Sequence, residues 1–292
     1  MPVDILLSDQ QAFLEPGRTS IFSRQVLRIA TVEGLVAGNI SLPWRPDKDS
    51  ITVHSLKIIR GNEVVDILAR GQTFSVLRRE TNLENAMLDG VLTGNIQPEG
   101  LQVGDILDLS YTLTSQDPVL KGTSELTAIF PQIPVGRYHL SVRWPSDFPI
   151  RHRESGGLVS PKIVRDRSGE LIRYSLDNIA PASLPKGAPP RFLLGKMLEM
   201  TSFKDWAEIG ALLSPLFQKA AVIPPSGPLR TEVEKIRTAS SDPSRRAELA
   251  LALVQDRIRY VALAMGDGGL VPDSAETTWG RRFGDCKAKT AL

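Results

Sequence analysis

From the amino terminus to about residue 180, apolar residues recur at every second position in short runs broken by turn-forming residues. That period is the signature of β-strands buried on one face. Along LDLSYTLT, Leu107, Leu109, Tyr111 and Leu113 share one face while Asp108, Ser110, Thr112 and Thr114 share the other, as in an antiparallel strand with one face on a core. YHLSVRW repeats the pattern with Tyr138, Leu140, Val142 and Trp144. SLKIIRGNEVVDIL reads as a hairpin, because Gly61 and Asn62 tolerate the positive φ of a tight two-residue turn. KIVRDRSGELIRY reads as a second, turning around Ser168 and Gly169. Many short strands, frequent Gly and Pro and almost no helical period predict a mainly β amino-terminal domain, a β-sandwich over residues 1–180. The sequence has no internal repeat and no low-complexity tract.

The pattern changes at NIAPASLPKGAPPR. Pro181, Pro185, Pro189 and Pro190 fall within it, which predicts a stiff, extended linker over 181–195. From 196 to 292 the period is helical. Ser202 followed by Asp205 resembles a capping box, with Trp206, Ile209 and Leu213 following at helical spacing. Asp242 and Pro243 form a cap and first-turn pair ahead of a helix whose Ala247, Leu251, Val254 and Ile258 share a face.

Composition removes several function classes. The chain has 292 residues, 41% of them apolar, enough for two domains with real cores. A formal charge of +2, with the arginines scattered, makes no case for nucleic acid or an anionic membrane surface. One cysteine cannot form an internal disulfide. No stretch approaches the roughly 20 consecutive apolar residues of a membrane span, and the start, MPVDILLSDQQ, lacks the basic and apolar segments of a secretory signal. With no CxxC and no paired histidines, neither a metal nor another cofactor is expected. GDGGLVPD is too irregular for a phosphate loop, lacks the ligand spacing of a calcium loop, and reads as a flexible wall of a cleft.

The single cysteine lies in RRFGDCKAKTAL. Asp285 can cap a helix that places Cys286 in its first turn. The positive end of the helix dipole favours a thiolate there, one route to a nucleophilic cysteine. Lys287 and Lys289 add favourable charge if they lie near the sulfur. Gly284 allows a sharp entry turn and close approach of a substrate backbone. Upstream, Tyr260 can offer its hydroxyl to an oxyanion, and Trp279 can line a cleft or pack as a core aromatic. His139 alternates with the apolar face of its strand and reads as solvated. His54 shares parity with Leu56 and Ile58 and reads as half-buried, and His152, between Arg151 and Arg153, reads as an exposed basic turn.

The order of an IRY helix end, a Gly-rich loop with Pro272, Ala275 and then RRFGDCKAKTAL resembles the bacterial transglutaminase-like superfamily, in the branch with a β-rich domain of unknown function in front. The resemblance implies a β-domain over roughly 1–180, then the opening helices of a papain-like α+β catalytic domain. It implies that Cys286 is the nucleophile, that a histidine and an aspartate further along the chain complete its triad, and that the reaction is amide hydrolysis or transamidation of a protein or peptide through a thioester. It also implies a bacterial periplasmic setting and a chain inactive by itself, cut just after the cysteine motif. One departure is Ala288, where the family usually has an acidic residue. The rival reading is a binding or scaffold protein whose β-sandwich recognises a protein or glycan.

Overall fold

The computed structural model describes residues 1–80, 82–180, 187, 189 and 195–292. Except for Gly187, Pro189 and Gly195, the expected linker over 181–195 lies outside the described residues. The chain is mainly β, a large amino-terminal sheet followed by a helical carboxy-terminal region. It divides into two compact units, residues 1–78 with 92–204 and residues 79–91 with 205–292.

The first unit begins with β1 (Val3–Glu15), β2 (Arg18–Ile29), β3 (Ile40–Trp44), β4 (Asp49–Arg60), β5 (Glu63–Asp66) and β6 (Ser75–Arg78). After a segment of the second unit that holds β7 (Met87–Leu88), it resumes with β8 (Leu92–Ile96), β9 (Ile106–Ser115), β10 (Glu125–Ile129) and β11 (Val135–Trp144). It ends with β12 (Arg151–Ser155), β13 (Val164–Asp166), β14 (Gly169–Ile179) and β15 (Met197–Thr201). An eight-stranded sheet runs β13-β14-β11-β1-β2-β9-β4-β5, antiparallel except where β1 lies parallel to β11. Directly paired residues share a face, so Val142, Ala12, Ile21, Leu113 and Ile51 trace one side of this sheet.

Two small sheets, β10-β15-β12 and β3-β8-β6, both cover that side and complete the sandwich. The first packs Phe130, Leu198 and Met200 on Tyr138, Leu140, Val142 and Trp144. The second packs Ile40, Leu42 and Ile96 on Leu56, Ile58, Leu107 and Leu109. Pro43 lies on β3, an edge strand, where a missing N–H costs no ladder bond. The outer side of the large sheet carries ion pairs: Asp9 pairs with His139 at 2.6 Å, Arg24 with Asp108 at 2.6 Å and Arg143 with Asp166 at 2.7 Å.

The hairpin at Gly61 and Asn62 forms as the sequence predicts, with Arg60 opposite Glu63. The second turns one residue earlier than expected, with Asp166 opposite Gly169. Gly169 is needed for another reason: at φ +121, a Cβ on it would lie 2.1 Å from the Trp144 carbonyl oxygen. His54 is not half-buried. A bulge between Val53 and Ser55 breaks the parity of β4 and turns His54 outward, its Nε2 2.7 Å from Thr112 Oγ1. His139 is paired rather than merely solvated, and His152 lies in strand β12, its Nδ1 2.9 Å from Glu154.

In the second unit, α1 (Trp206–Ala220) is capped by Asp205, which accepts the Glu208 N–H at 2.9 Å. Ser202 instead belongs to the sandwich, its hydroxyl accepting the Ser124 N–H at 2.9 Å. Ile209, Leu213 and Phe217 turn inward, and Trp206 is 86% exposed. Next come α2 (Pro228–Ala239) and α3 (Pro243–Arg257), the latter capped by Asp242 as expected. The inward face of α3 is rotated from the expected one, leaving Ala247 and Leu251 exposed. Arg246 lies on that face instead and donates to the carbonyls of Ser240 at 2.6 Å and Arg237 at 3.1 Å, closing the end of α2.

Candidate functional site

After α3, Ile258 is buried and the chain becomes extended as β16 (Arg259–Tyr260) and β17 (Ala262–Leu263). Ser274 caps α4 (Ala275–Arg281), accepting the Thr277 N–H at 3.1 Å. The chain reverses at Arg282, φ +63, and enters β18 (Phe283–Gly284) and α5 (Cys286–Ala291). β16 and β18 pair in parallel: the Arg259 N–H donates to Arg282 at 2.9 Å and the Val261 N–H to Gly284 at 3.2 Å. Tyr260 therefore stands opposite Gly284, 47% exposed, two positions before the cysteine.

Asp285 caps α5 in an extended conformation, its carboxylate accepting the Ala288 N–H at 2.9 Å and pairing with Lys287. Cys286 is the first residue of the helix, and it is exposed. The two lysines are engaged elsewhere: Lys287 with Asp285, and Lys289 with the Ile258 carbonyl at 2.9 Å. That second bond places a cation at the carboxy-terminal end of α3, where the helix dipole favours it, and ties the cysteine helix to the strand carrying Tyr260.

Gly284 serves a purpose other than the expected turn. A Cβ there would lie 2.9 Å from Ala288 Cβ and 3.0 Å from Thr278 Cγ2, so glycine lets β18 pack against α4 and α5. Ala288, 1% exposed, fills the facing position, and a longer side chain has no room towards Gly284. Gly284→Ala is expected to cost about 1–3 kcal/mol through overpacking. Gly280→Ala, in α4 with open space around its Cβ, is expected to be neutral or stabilising by up to about 1 kcal/mol. Urea unfolding of the two variants measures the contrast.

A cleft of about 290 Å³ adjoins the motif. Gly284 and Asp285 line it, with Val261, Leu263, Met265 and Phe283 around them. Val271, Pro272 and Asp273 bring in the end of the GDGGLVPD stretch, and Asp273 pairs with Arg281 at 3.0 Å. Trp279 takes the core alternative, 6% exposed among Leu229, Ile258 and Ala275, with the Arg282 guanidinium 3.6 Å from its ring centroid. Among the described residues, no group of three or more His, Cys, Asp or Glu could hold a metal. Among the described residues, too, no helix is long and apolar enough to cross a membrane.

The sequence reading missed the segment 79–91. It places β7 parallel to β17, with Met87 opposite Ala262 and Leu88 opposite Leu263. A two-residue strand between loops leaves no periodic signal.

A search of curated proteins gives no match. Among solved structures, a candidate protease from Parabacteroides distasonis ATCC 8503 superimposes with a TM-score of 0.75 at 13% identity, over 99% of this chain and 57% of that one. The chain thus spans a little over half the length of that protein, and the likeness shows the fold. Two others superimpose loosely: an M1 zinc metallopeptidase from Deinococcus radiodurans (TM-score 0.32, 10% identity, 68% of this chain and 42% of that one) and a candidate nutrient-binding protein from Legionella pneumophila (0.34, 7%, 89% and 81%). The family described as Domain of Unknown Function with solved-structure structure (DUF3857) matches residues 15–183.

Proposed function

The chain belongs to the DUF3857 family, and from that premise we propose that it joins the family's β-domain to the thiol-bearing part of a transglutaminase-like acyl-transfer domain. The observation that carries the reading is an exposed Cys286 opening an Asp285-capped helix, directly after two residues that line a cleft. In the reaction proposed, the Cys286 thiolate attacks the carbonyl carbon of a glutamine side-chain amide or peptide amide. The C–N bond breaks, the amine leaves with a proton from a general acid, and a thioester remains. Water or a second amine then attacks the thioester, and the C–S bond breaks to restore the thiol. Tyr260, opposite Gly284, supports the site from the neighbouring strand.

The proton carrier must come from outside these residues. All three histidines belong to the first unit, bonded to Thr112, Asp9 and Glu154. The 292-residue chain is therefore expected to show no amine incorporation into a glutamine-bearing protein and no peptide-amide hydrolysis, while the full gene product shows one or both. Turnover by the 292 residues alone would overturn the assignment of the missing base.

One feature favours the rival reading of a binding protein: a cavity of about 280 Å³ in the sandwich, where Gln25, Ser41 and Tyr111 stand among Leu27, Leu107 and Leu109. An inert gene product that still captures a protein or glycan through the first unit would decide for it.

A further inference from the structure

We propose that residues 79–91 determine which side chain is accepted by the cleft that ends beside Cys286, at Gly284 and Asp285, and that this side chain is apolar and uncharged; the proposal rests on the thiol reading above. The segment is the only support that β17 receives from another strand among the described residues. The N–H groups of Ala262 and Ala264 donate to Ala86 and Leu88, each at 2.8 Å. Side chains alternate along an extended chain, so Val261, Leu263 and Met265 fall on one side, and all three line the cleft. Wherever β7 sits, that wall follows.

The segment is itself braced. Arg78 pairs with Leu92 across its two ends. The Glu80 carboxylate accepts the Asp89 N–H at 2.9 Å, and the Asp89 carboxylate accepts the Asn82 amide at 2.9 Å and the Val91 N–H at 3.1 Å. The Val91 N–H, ahead of the Asn82 bond, holds the Asp89 acid below the usual carboxylate range. Gly90 makes the direct contact. At φ +69, a Cβ on it would lie 2.5 Å from Met265 Cγ and 3.0 Å from Met265 Sδ, so only glycine leaves Met265 where it lines the cleft.

The lining chemistry indicates the ligand. Its charges are matched within the protein, Asp273 by Arg281 and Asp285 by Lys287, so a charged side chain would have to break a pair, whereas an apolar one meets Val261, Leu263, Met265 and Phe283. At about 290 Å³, the cleft lies at the lower bound for a ligand pocket and suits one large side chain beside the reacting carbonyl.

The chain's single thiol makes the test direct. Alkylation of Cys286 by N-benzyl-iodoacetamide and by iodoacetamide is followed by intact mass, and the ratio of the two rates is the readout. It is expected to favour the benzyl probe by about tenfold, the scale of a small apolar group in a fitted pocket. Asp89→Ala and Gly90→Ala, with folding checked by circular dichroism, are each expected to lower the ratio by about fivefold or more. If Gly90→Ala does not fold, Asp89→Ala decides, with Met265→Ala as the measure of what the wall contributes. A wild-type ratio near one, or a change with Met265→Ala but not with a folded Asp89→Ala, overturns the proposal. Failure of the thiol reading is separate: it appears as turnover by the full gene product that survives Cys286→Ala, which leaves the labelling ratio of the wild-type chain unchanged.

Discussion

Cys286→Ala in the full gene product is expected to lower amide turnover by about 10⁴-fold or more while changing KM little. Removing a catalytic nucleophile removes the covalent route itself, and losses of that order or larger are typical when the partners act as a unit. The site offers no substitute: these 292 residues contain no second thiol, and the Asp285 carboxylate is committed to the Ala288 N–H and to Lys287. An alanine also suits the first turn of a helix, so α5 keeps its cap and the cleft its shape. Amine-incorporation and peptide-amide assays on matched preparations give the comparison. Activity within tenfold of wild type would take the cysteine out of the mechanism.

Trp144→Ala is expected to destabilise the first unit by about 3–5 kcal/mol, the range for large aromatics removed from a packed core. Trp144 is 2% exposed and belongs to the cluster of Tyr138, Leu140, Val142, Phe130 and Leu198, which joins the large sheet to the small sheet β10-β15-β12. Phe130 packs edge-on to Tyr174 at 5.0 Å between centroids and tilted to Tyr138 at 5.1 Å, so neighbouring rings can only partly close the void. Urea unfolding followed by the β-sheet circular dichroism signal measures the loss. A change below about 1 kcal/mol would mean that the two layers are not held by this core.

The sandwich was legible because its strands are long and one-sided. Leu107 and Leu109 lie on the buried side as their alternation requires, and Tyr138, Leu140, Val142 and Trp144 do the same along β11. His54 was misread because parity cannot count through a bulge, which inserts one residue and reverses every later assignment. The turned face of α3 has a similar origin: Leu251 looks like core by hydropathy, but Arg246 takes the inner side to close α2. At the site, Asp285 and Cys286 were legible because a cap and the first turn of a helix are local properties. The purpose of Gly284 was hidden, since it depends on Thr278 and Ala288 meeting it in space. The cleft wall was hidden more deeply, because Met87 and Ala262 are brought together only by the fold.

That last pairing bears on the order of events during synthesis. Residues 86–88 leave the ribosome long before 262–264, and strand pairing across such a separation is slow if both segments must search as free chain. The chain shortens the search in advance. Once Arg78 has paired with Leu92, the intervening segment is a closed, internally bonded loop awaiting an incoming strand. That loop thus acts as a template, so that a cleft lined by residues 261–285 is shaped in part by residues translated long before them.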